Sequence, residues 1–389
     1  MDKIKIDKLH ISNKYNNFFM ISDIHLGLKN GSEEWIENMK DYFENFFIPL
    51  INKNKDKYSF LIVLGDIFDD RKNINIMVND LAINIFEKLG SIIPTYIING
   101  NHDLYKKTNN NVTSLKSLEN IKGVTMIKNP TMVTLDWYKE IPSGPEEYTK
   151  EIEWSKKLMF IPYQGNQEIE TELCNQNGNC DYMFMHTDLK NLRYDNGRNI
   201  SIGVDTSRVK GHVYSGHIHL RQVSDKITYV GNPYQFRRSD IGNQKGIYQI
   251  KLKKGKDKEI FYENNYSPIF QKIWLHDLLD KPYEYAKKIC ANNYTDILVN
   301  DEELTNLNFT KMYEALDICN PKRIEIKQID NNNILYEDYD ENVGEYKDMS
   351  IPEIIDELID SMEISDNKKE HFKALSKKYQ SLIDEIDMD

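Results

Sequence analysis

Along the first 260 residues, short apolar runs alternate with stretches in which apolar side chains recur every three or four positions. Phe18–Ile21, Phe60–Leu64 and Thr95–Ile98 are runs rich in β-branched and aromatic residues, which predicts strands. Between the first two, Trp35, Ile36, Met39, Phe43, Phe46, Phe47 and Leu50 fit one face of a helix. Between the next two, Val78, Leu81, Ile85 and Leu89 repeat near the helical period, and Gly90 is placed to end that helix. This alternation predicts a layered α/β core. Later runs (Lys157–Ile161, Tyr182–Met185, His212–Ser215, Thr228–Val230 and Gly246–Leu252) come without helices of that length. They predict a second, more antiparallel sheet.

The pattern changes past residue 252. Polar Lys253–Ser267 closes a first domain of residues 1–260. Residues 266–329 read as a small α/β module, with a helix over Tyr283–Asn292 and strands over Asp296–Val299 and Arg323–Ile329. Residues 330–349 are polar, acidic and weakly periodic, as a linker is. In 350–389, Ile351, Ile354, Ile355, Leu358, Ile359 and Met362 form one apolar stripe; Phe372, Leu375, Tyr379, Leu382, Ile383 and Ile386 form another. A helical pair this short cannot bury both stripes by itself. It predicts a partner surface, with docking on this chain as the alternative.

Charge follows the same division. The net charge is −12, and residues 330–389 hold 18 Asp/Glu against 6 Lys/Arg, which is −12. The other 329 residues hold 62 − 18 = 44 acids and 50 − 6 = 44 bases, so the body is neutral and can carry basic patches. No apolar run of about 18 residues is present, which argues against a membrane span. The start, MDKIKIDKLHIS, lacks the apolar segment of a secretory signal. The four cysteines (Cys174, Cys180, Cys290, Cys319) show no zinc-type spacing; Cys174 and Cys180 read as reduced thiols in a polar loop. The expectation is a reducing, cytoplasmic setting (a host cell's cytoplasm for a viral protein).

Candidate chemistry follows directly on the apolar runs. Asp23 and His25 lie in SDIHLG, Asp66 in LGDIFDD, Asn101 in NGNHD, His186 in FMHTD, and His217 and His219 in SGHIH. In α/β sheets, ligands bind just beyond the carboxyl ends of strands. Carboxylate, amide and imidazole together suit hard-to-borderline divalent metals. Two such ions roughly 3.5–4 Å apart can hydrolyse a phosphate ester by in-line attack. His10, His276 and His371 fall outside these clusters and read as structural or surface residues.

The ordered set D-x-H, G-D-x-x-D, G-N-H-D, lone His and G-H-x-H resembles the calcineurin-like metallophosphoesterase superfamily. GSEEWI at 31–36, GDIFDDRK at 65–72, GNHDLYKK at 100–107, YVGNPYQFRRSD at 229–240 and the tail helices resemble the SbcD-type DNA double-strand-break repair nucleases. The nuclease subunits of bacteriophage recombination endonucleases are closer still. The resemblance implies a two-sheet sandwich flanked by helices, with a small cap domain and a C-terminal helical pair. It implies two manganese ions, or magnesium. One would be held by Asp23, His25, Asp66 and His219; the other by Asp66, Asn101, His186 and His217, with Asp66 bridging. It further implies catalytic His102 facing the scissile phosphate, oriented by the Asp69 carboxylate. The implied activity is 3′-to-5′ exonuclease and single-strand endonuclease cleavage of DNA ends and single-strand/double-strand junctions, in double-strand-break repair and recombination. The implied partners are an SbcC-type SMC-like ATPase, gripped through 350–389, and a second copy of the chain.

Arg71, Lys72, Arg237 and Arg238 are candidate contacts to the DNA backbone, whereas Tyr234 and Phe236 read as core. The rival readings are a phosphoesterase acting on phosphoproteins or small molecules, and a structural subunit with a decayed site.

Overall fold

The structure, a computed structural model, describes residues 6–9, 15–106, 109–144, 147–306, 312 and 316–329. A six-stranded sheet runs in the spatial order Lys258–Glu263, Gly246–Lys251, Asn17–Ile21, Ser59–Val63, Thr95–Ile98, Val124–Ile127. Its last four strands are mutually parallel; the first two join antiparallel. The strand Lys258–Glu263 occupies part of the stretch read from sequence as a closing polar segment. Its side chains alternate, Phe261 packing with the inner core and Tyr262 with the outer, as an edge strand requires.

The second sheet has seven strands, in the order Asp7–Lys8, Thr131–Gly144, Glu147–Ile161, Tyr182–His186, His212–Gly216, Ile227–Tyr229, Gln222–Val223. The expectation of a more antiparallel sheet is corrected here. Glu147–Ile161, Tyr182–His186, His212–Gly216 and Ile227–Tyr229 are parallel neighbours, and antiparallel pairing is confined to the two hairpins. Parallel neighbours need a crossover. Here one is the helix Gln167–Asn177, capped by Asn166, which the polar look of 166–180 hides. Cys174 therefore lies on a helix rather than in a polar loop, and all four cysteines are free and buried.

Alternation along the strands sorts the core into layers. Phe18, Met20, Phe60, Ile62, Phe160, Phe184, Tyr214 and Tyr248 meet between the two sheets. Phe19, Ile21, Leu61 and Val63 face outward onto the helices of 33–54 and 76–92. Met159, Met183, Met185 and Val213 pack against Leu173 and Cys174 on the other side. Both faces are covered at the central strands, which is why Asn17–Ile21 and Ser59–Val63 are buried at every position and read as nearly continuous apolar runs.

The predicted helix over 35–50 is a continuous helical stretch, Glu33–Asp41 and Ile48–Asn54, joined by a π-helical turn at Tyr42–Phe47. Buried Trp35, Met39, Phe43, Phe47 and Ile51 recur every fourth residue. In a 3.6-residue helix that spacing drifts by about 40° a step. The wider turn takes up the drift. The second helix, Ile76–Ile92, runs through Gly90 instead of ending there. A Cβ at Gly90 would lie 2.3 Å from the Lys122 carbonyl oxygen. The glycine permits close approach to the next turn rather than capping the helix.

Phe270–Trp274, Tyr294–Val299 and Arg323–Gln328 form a three-stranded sheet in that order, accompanied by the helices Leu275–Leu279 and Tyr283–Cys290. The chain divides into two compact units, 1–297 with 308–325, and 298–307 with 326–389. In the second, the helix Asp301–Asn306 is capped reciprocally by Asn300 and Glu303. The predicted linker (330–349) and tail helices (350–389) lie outside the described residues. Among the described residues no helix is long and apolar enough to cross a membrane.

Alanine is favoured over glycine inside a helix by about 0.8–1 kcal/mol, so propensity alone would make Gly90→Ala stabilising. A main-chain oxygen cannot step aside as a side chain can. We expect net destabilisation of about 1–3 kcal/mol, the usual cost of overpacking. A urea-unfolding midpoint equal to or above that of the parent chain would show that the contact relaxes.

Candidate active site

Each motif leaves the carboxyl end of a strand. Asp23 and His25 follow Asn17–Ile21, Asp66 follows Ser59–Val63, Asn101 to Asp103 follow Thr95–Ile98, His186 ends its strand, and His217 and His219 follow His212–Gly216. Parallel strands put these ends on one edge of each sheet, and the sandwich brings the two edges together. Asp23, His25, Asp66 and His217 all adopt left-handed backbone, with φ of 50°, 50°, 51° and 85°. Non-glycine residues are uncommon there, and such strain concentrates at functional sites. Gly100 is required by contact: a Cβ on it would lie 2.1 Å from Asp66 Oδ1.

The side chains form two groups, Asp23–His25–His219 and Asp66–His186–His217, each with one ligand atom per residue within 4.8 Å of the others. His25 Nε2 is 3.1 Å from His219 Nε2. His186 Nε2 is 3.1 Å from Asp66 Oδ2 and 3.0 Å from Asn101 Oδ1, and Asn101 Oδ1 is 2.7 Å from His217 Nδ1. Asp66 Oδ2 also lies 3.8 Å from His25 Nε2, so this carboxylate stands between the groups. All seven residues singled out from sequence converge.

The donor set fits divalent cations. Asp23 Oδ1 accepts from the His217 amide at 2.9 Å, but buried Asp23 Oδ2 has no hydrogen-bond partner. A buried acceptor left unmatched is costly, and a cation would satisfy it. Burial raises the Asp23 pKa. Burial would depress His186, but the Asp66 charge and hydrogen bond, with Asp23, override it and raise His186 to about 10. The pocket calls for positive charge. Imidazole, carboxylate and amide oxygen select hard-to-borderline ions rather than soft ones.

Supporting contacts hold these groups in place. His186 Nδ1–H donates to the Leu64 carbonyl at 2.6 Å, which leaves Nε2 as its ligand atom. Asp103 is fully buried and accepts three main-chain N–H groups: Asp66 at 2.8 Å, Ile67 at 3.0 Å and Gly100 at 2.9 Å. Asp188 lies 3.4 Å from His217 Nε2. Behind His219, Arg237 Nη2 is 2.7 Å from Nδ1 and also bonds Asp195, while Lys245 Nζ donates to the His219 carbonyl at 2.9 Å. Sequence reasoning passed over Asp103, Asp188, Asp195 and Lys245, and it placed Arg237 at the DNA backbone rather than behind His219. Asp103 and Asp188 were visible inside GNHD and MHTD, whereas Asp195 and Lys245 carried no local signal.

His102 donates its amide N–H to Asp66 Oδ1 at 2.9 Å, and its ring Nδ1–H donates to the Asp69 carbonyl at 2.6 Å. The expected role of the Asp69 carboxylate is thus corrected. The main-chain oxygen of Asp69 orients His102, while its carboxylate lies 3.4 Å from His25 Nδ1. Burial lowers the His102 pKa, helped by nearby His25 and Arg71. Of the four basic residues expected at DNA, Arg71 is 9% exposed and Lys72 is exposed. Arg238 is committed to Asp296 and Glu325. Tyr234 and Phe236 are core, as predicted. His276 stacks on Trp274, away from the motifs, and His10 and His371 lie outside the described residues.

Residues 17–221, just over half of the 389-residue chain, match the family model for the calcineurin-like phosphoesterases. The chain belongs to that family. The matched span holds all seven ligand-type residues and His102, and it makes this calcineurin-like phosphoesterase a metal-dependent phosphoester hydrolase in general class. Among solved structures, a protein of unknown function from Aquifex aeolicus is similar over 49% of this chain and 89% of its own, at 16% identity and a TM-score of 0.24. That likeness is too slight to argue from.

Removing the Asp103 carboxylate from the phosphoesterase strands three buried N–H donors, and bonds to a charged acceptor are worth about 1.5–3 kcal/mol each. We expect Asp103→Ala to cost at least about 3 kcal/mol in unfolding and to weaken divalent-cation binding in titration calorimetry. Unchanged cation binding in the folded variant would show that Asp66 needs no such support.

Proposed function

We propose that this phosphoesterase is a manganese-dependent DNA nuclease acting on DNA ends, with 3′-to-5′ exonuclease and single-strand endonuclease action, in double-strand-break repair and recombination. The observation that carries the hydrolytic reading is the pair of ligand groups with the Asp66 carboxylate standing between them and His102 tied to that carboxylate. Asp23, His25, Asp66 and His219 would hold one cation, and Asp66, Asn101, His186 and His217 the other. Magnesium is the alternative ion. When bound, such a pair polarises a phosphate ester and makes a water nucleophilic. The chain's own residues supply order. Asp103 and the Leu64 carbonyl fix Asp66 and His186 before substrate arrives. With Nδ1–H spent on the Asp69 carbonyl, His102 keeps Nε2 for the leaving oxygen; there the imidazolium form, protonated on both nitrogens, would give up its Nε2 proton or stabilise developing charge, and become neutral imidazole as it does so.

DNA as substrate is supported by the sequence around the ligands, GDIFDDRK, GNHDLYKK and GNPYQFRRSD, and by an apolar-striped tail that a free-standing phosphatase does not need. The partners proposed are an SMC-like ATPase, through residues 350–389, and a second copy of the chain. This work would take place in the cytoplasm, a host's for a viral protein. The rival is a phosphoesterase for phosphoproteins or small molecules. End-labelled DNA and p-nitrophenyl phosphate assayed side by side, with manganese, with magnesium and with chelator, separate the two. DNA shortening that needs manganese supports the nuclease; fast monoester turnover with intact DNA overturns it.

For His102→Ala we expect a turnover loss of 10²-fold or more, the scale of a positioned acid, with cation stoichiometry kept. Activity within about threefold of the parent would remove His102 from the chemistry. Burying each apolar side chain of the tail is worth about 1.5–3 kcal/mol. Deleting 350–389 should therefore abolish co-purification with the ATPase while the remaining chain still cuts DNA with manganese. A collapsed melting transition in the truncated chain would instead assign those helices to its own core.

A further inference from the structure

The connection Asn232–Asp240 runs from the strand Ile227–Tyr229 to the short turn at Arg238–Asp240, and its successive side chains serve two sides. Inward, the Tyr234 hydroxyl donates to the Ile24 carbonyl at 2.5 Å, between Asp23 and His25. The Phe236 ring lies 5.5 Å from the His25 ring and 5.0 Å from the His219 ring. Arg237 reaches His219 Nδ1 and Asp195. Outward, Gln235 Oε1 accepts from the Phe270 amide at 2.7 Å. Arg238 donates twice to Asp296, at 2.7 Å and 3.0 Å, and again to Glu325. The connection's own shape is pinned by Asp240, which accepts from the Phe236 and Arg237 amides and pairs with buried Lys245. The residues that back His25 and His219 are thus interleaved with residues anchored on the strands Phe270–Trp274, Tyr294–Val299 and Arg323–Gln328.

We propose that this connection sets the cation affinity of the Asp23–His25–His219 group, and that Arg238 is its positioning residue. The proposal rests on the two-cation reading above. Arg238 touches no ligand and acts through its neighbours. Its bidentate grip on Asp296, itself 4% exposed, fixes where the backbone of Phe236 and Arg237 stands. That position in turn limits how far the His25 and His219 rings can rotate. The inward contacts converge on one of the two groups, so the effect is asymmetric: one cation site depends on the anchor and the other does not.

The test is manganese titration of the full chain by calorimetry, with unfolding followed by circular dichroism. The parent chain should bind two ions. Arg238→Ala should weaken one site at least tenfold and leave the other within threefold. Arg238→Lys keeps the charge but not the two-pronged contact and should recover part of the loss, and Asp296→Asn should weaken the same site from the far side. In an Asp23→Ala background, where the first group is already broken, adding Arg238→Ala should shift the remaining site by less than threefold. Equal weakening of both sites, or a further loss in the Asp23→Ala background, overturns the proposal. If Arg238→Ala does not fold, Arg238→Lys and Asp296→Asn decide, and parental affinity at both sites in them overturns it. A parent chain that binds no second ion overturns the two-cation reading instead.

Discussion

A carboxylate that is 1% exposed, has left-handed backbone and faces imidazoles from both sheets is the constraint on which the rest of this molecule depends. Asp66 is almost out of reach of bulk water, so the polar atoms around it have to come from the fold or from bound cations. Its amide goes to Asp103, one oxygen takes the His102 amide, and the other faces His25 and His186. Desolvation on that scale is tolerated only where opposite charge or hydrogen bonds answer it. The histidines answer in part, and cations would complete the match. Gly100, whose backbone lies against Asp66, is the same constraint seen from the neighbouring loop.

Two stacked sheets are an economical way to meet that demand. One sheet contributes Asp23, His25, Asp66 and Asn101; the other contributes His186, His217 and His219. Because the central strands are buried on both faces, they have little freedom to slide, and a one-residue slip would move every side chain to the opposite face. Ligand precision is inherited from core packing rather than built separately.

This inheritance explains what was legible. Asp23, Asp66 and His186 could be picked out because each ends a run such as FFMI, FLIV or YMFM, and a polar residue at that place has few other reasons to be there. The left-handed backbone at Asp23, His25, Asp66 and His217 has no sequence signal, since non-glycine residues adopt it only when the surroundings insist. Asp69 was assigned by its carboxyl group, yet its main-chain oxygen orients His102, and main-chain chemistry is the same for every residue. Arg237 and Arg238 are identical in type and adjacent, and only the folded chain separates the one at His219 from the one tied to Asp296. The helix Gln167–Asn177 and the parallel order of the second sheet were hidden for a related reason. That helix is mostly polar, and it is the connection, not the strands, that decides parallel pairing.

His25 and His219 are 194 residues apart in the chain and 3.1 Å apart in space. A ribosome adding about 5–20 residues per second exposes the second roughly 10–40 s after the first. Through that interval the nascent chain gains its ligands one by one, and the last, His219, is the one that faces the first pair. Such long-range closure is slow compared with local helix formation. Hydrolytic competence therefore arrives late and all at once, when the sheet bearing His217 and His219 docks on the sheet bearing Asp23. Until then a partly made chain lacks a complete set of ligands.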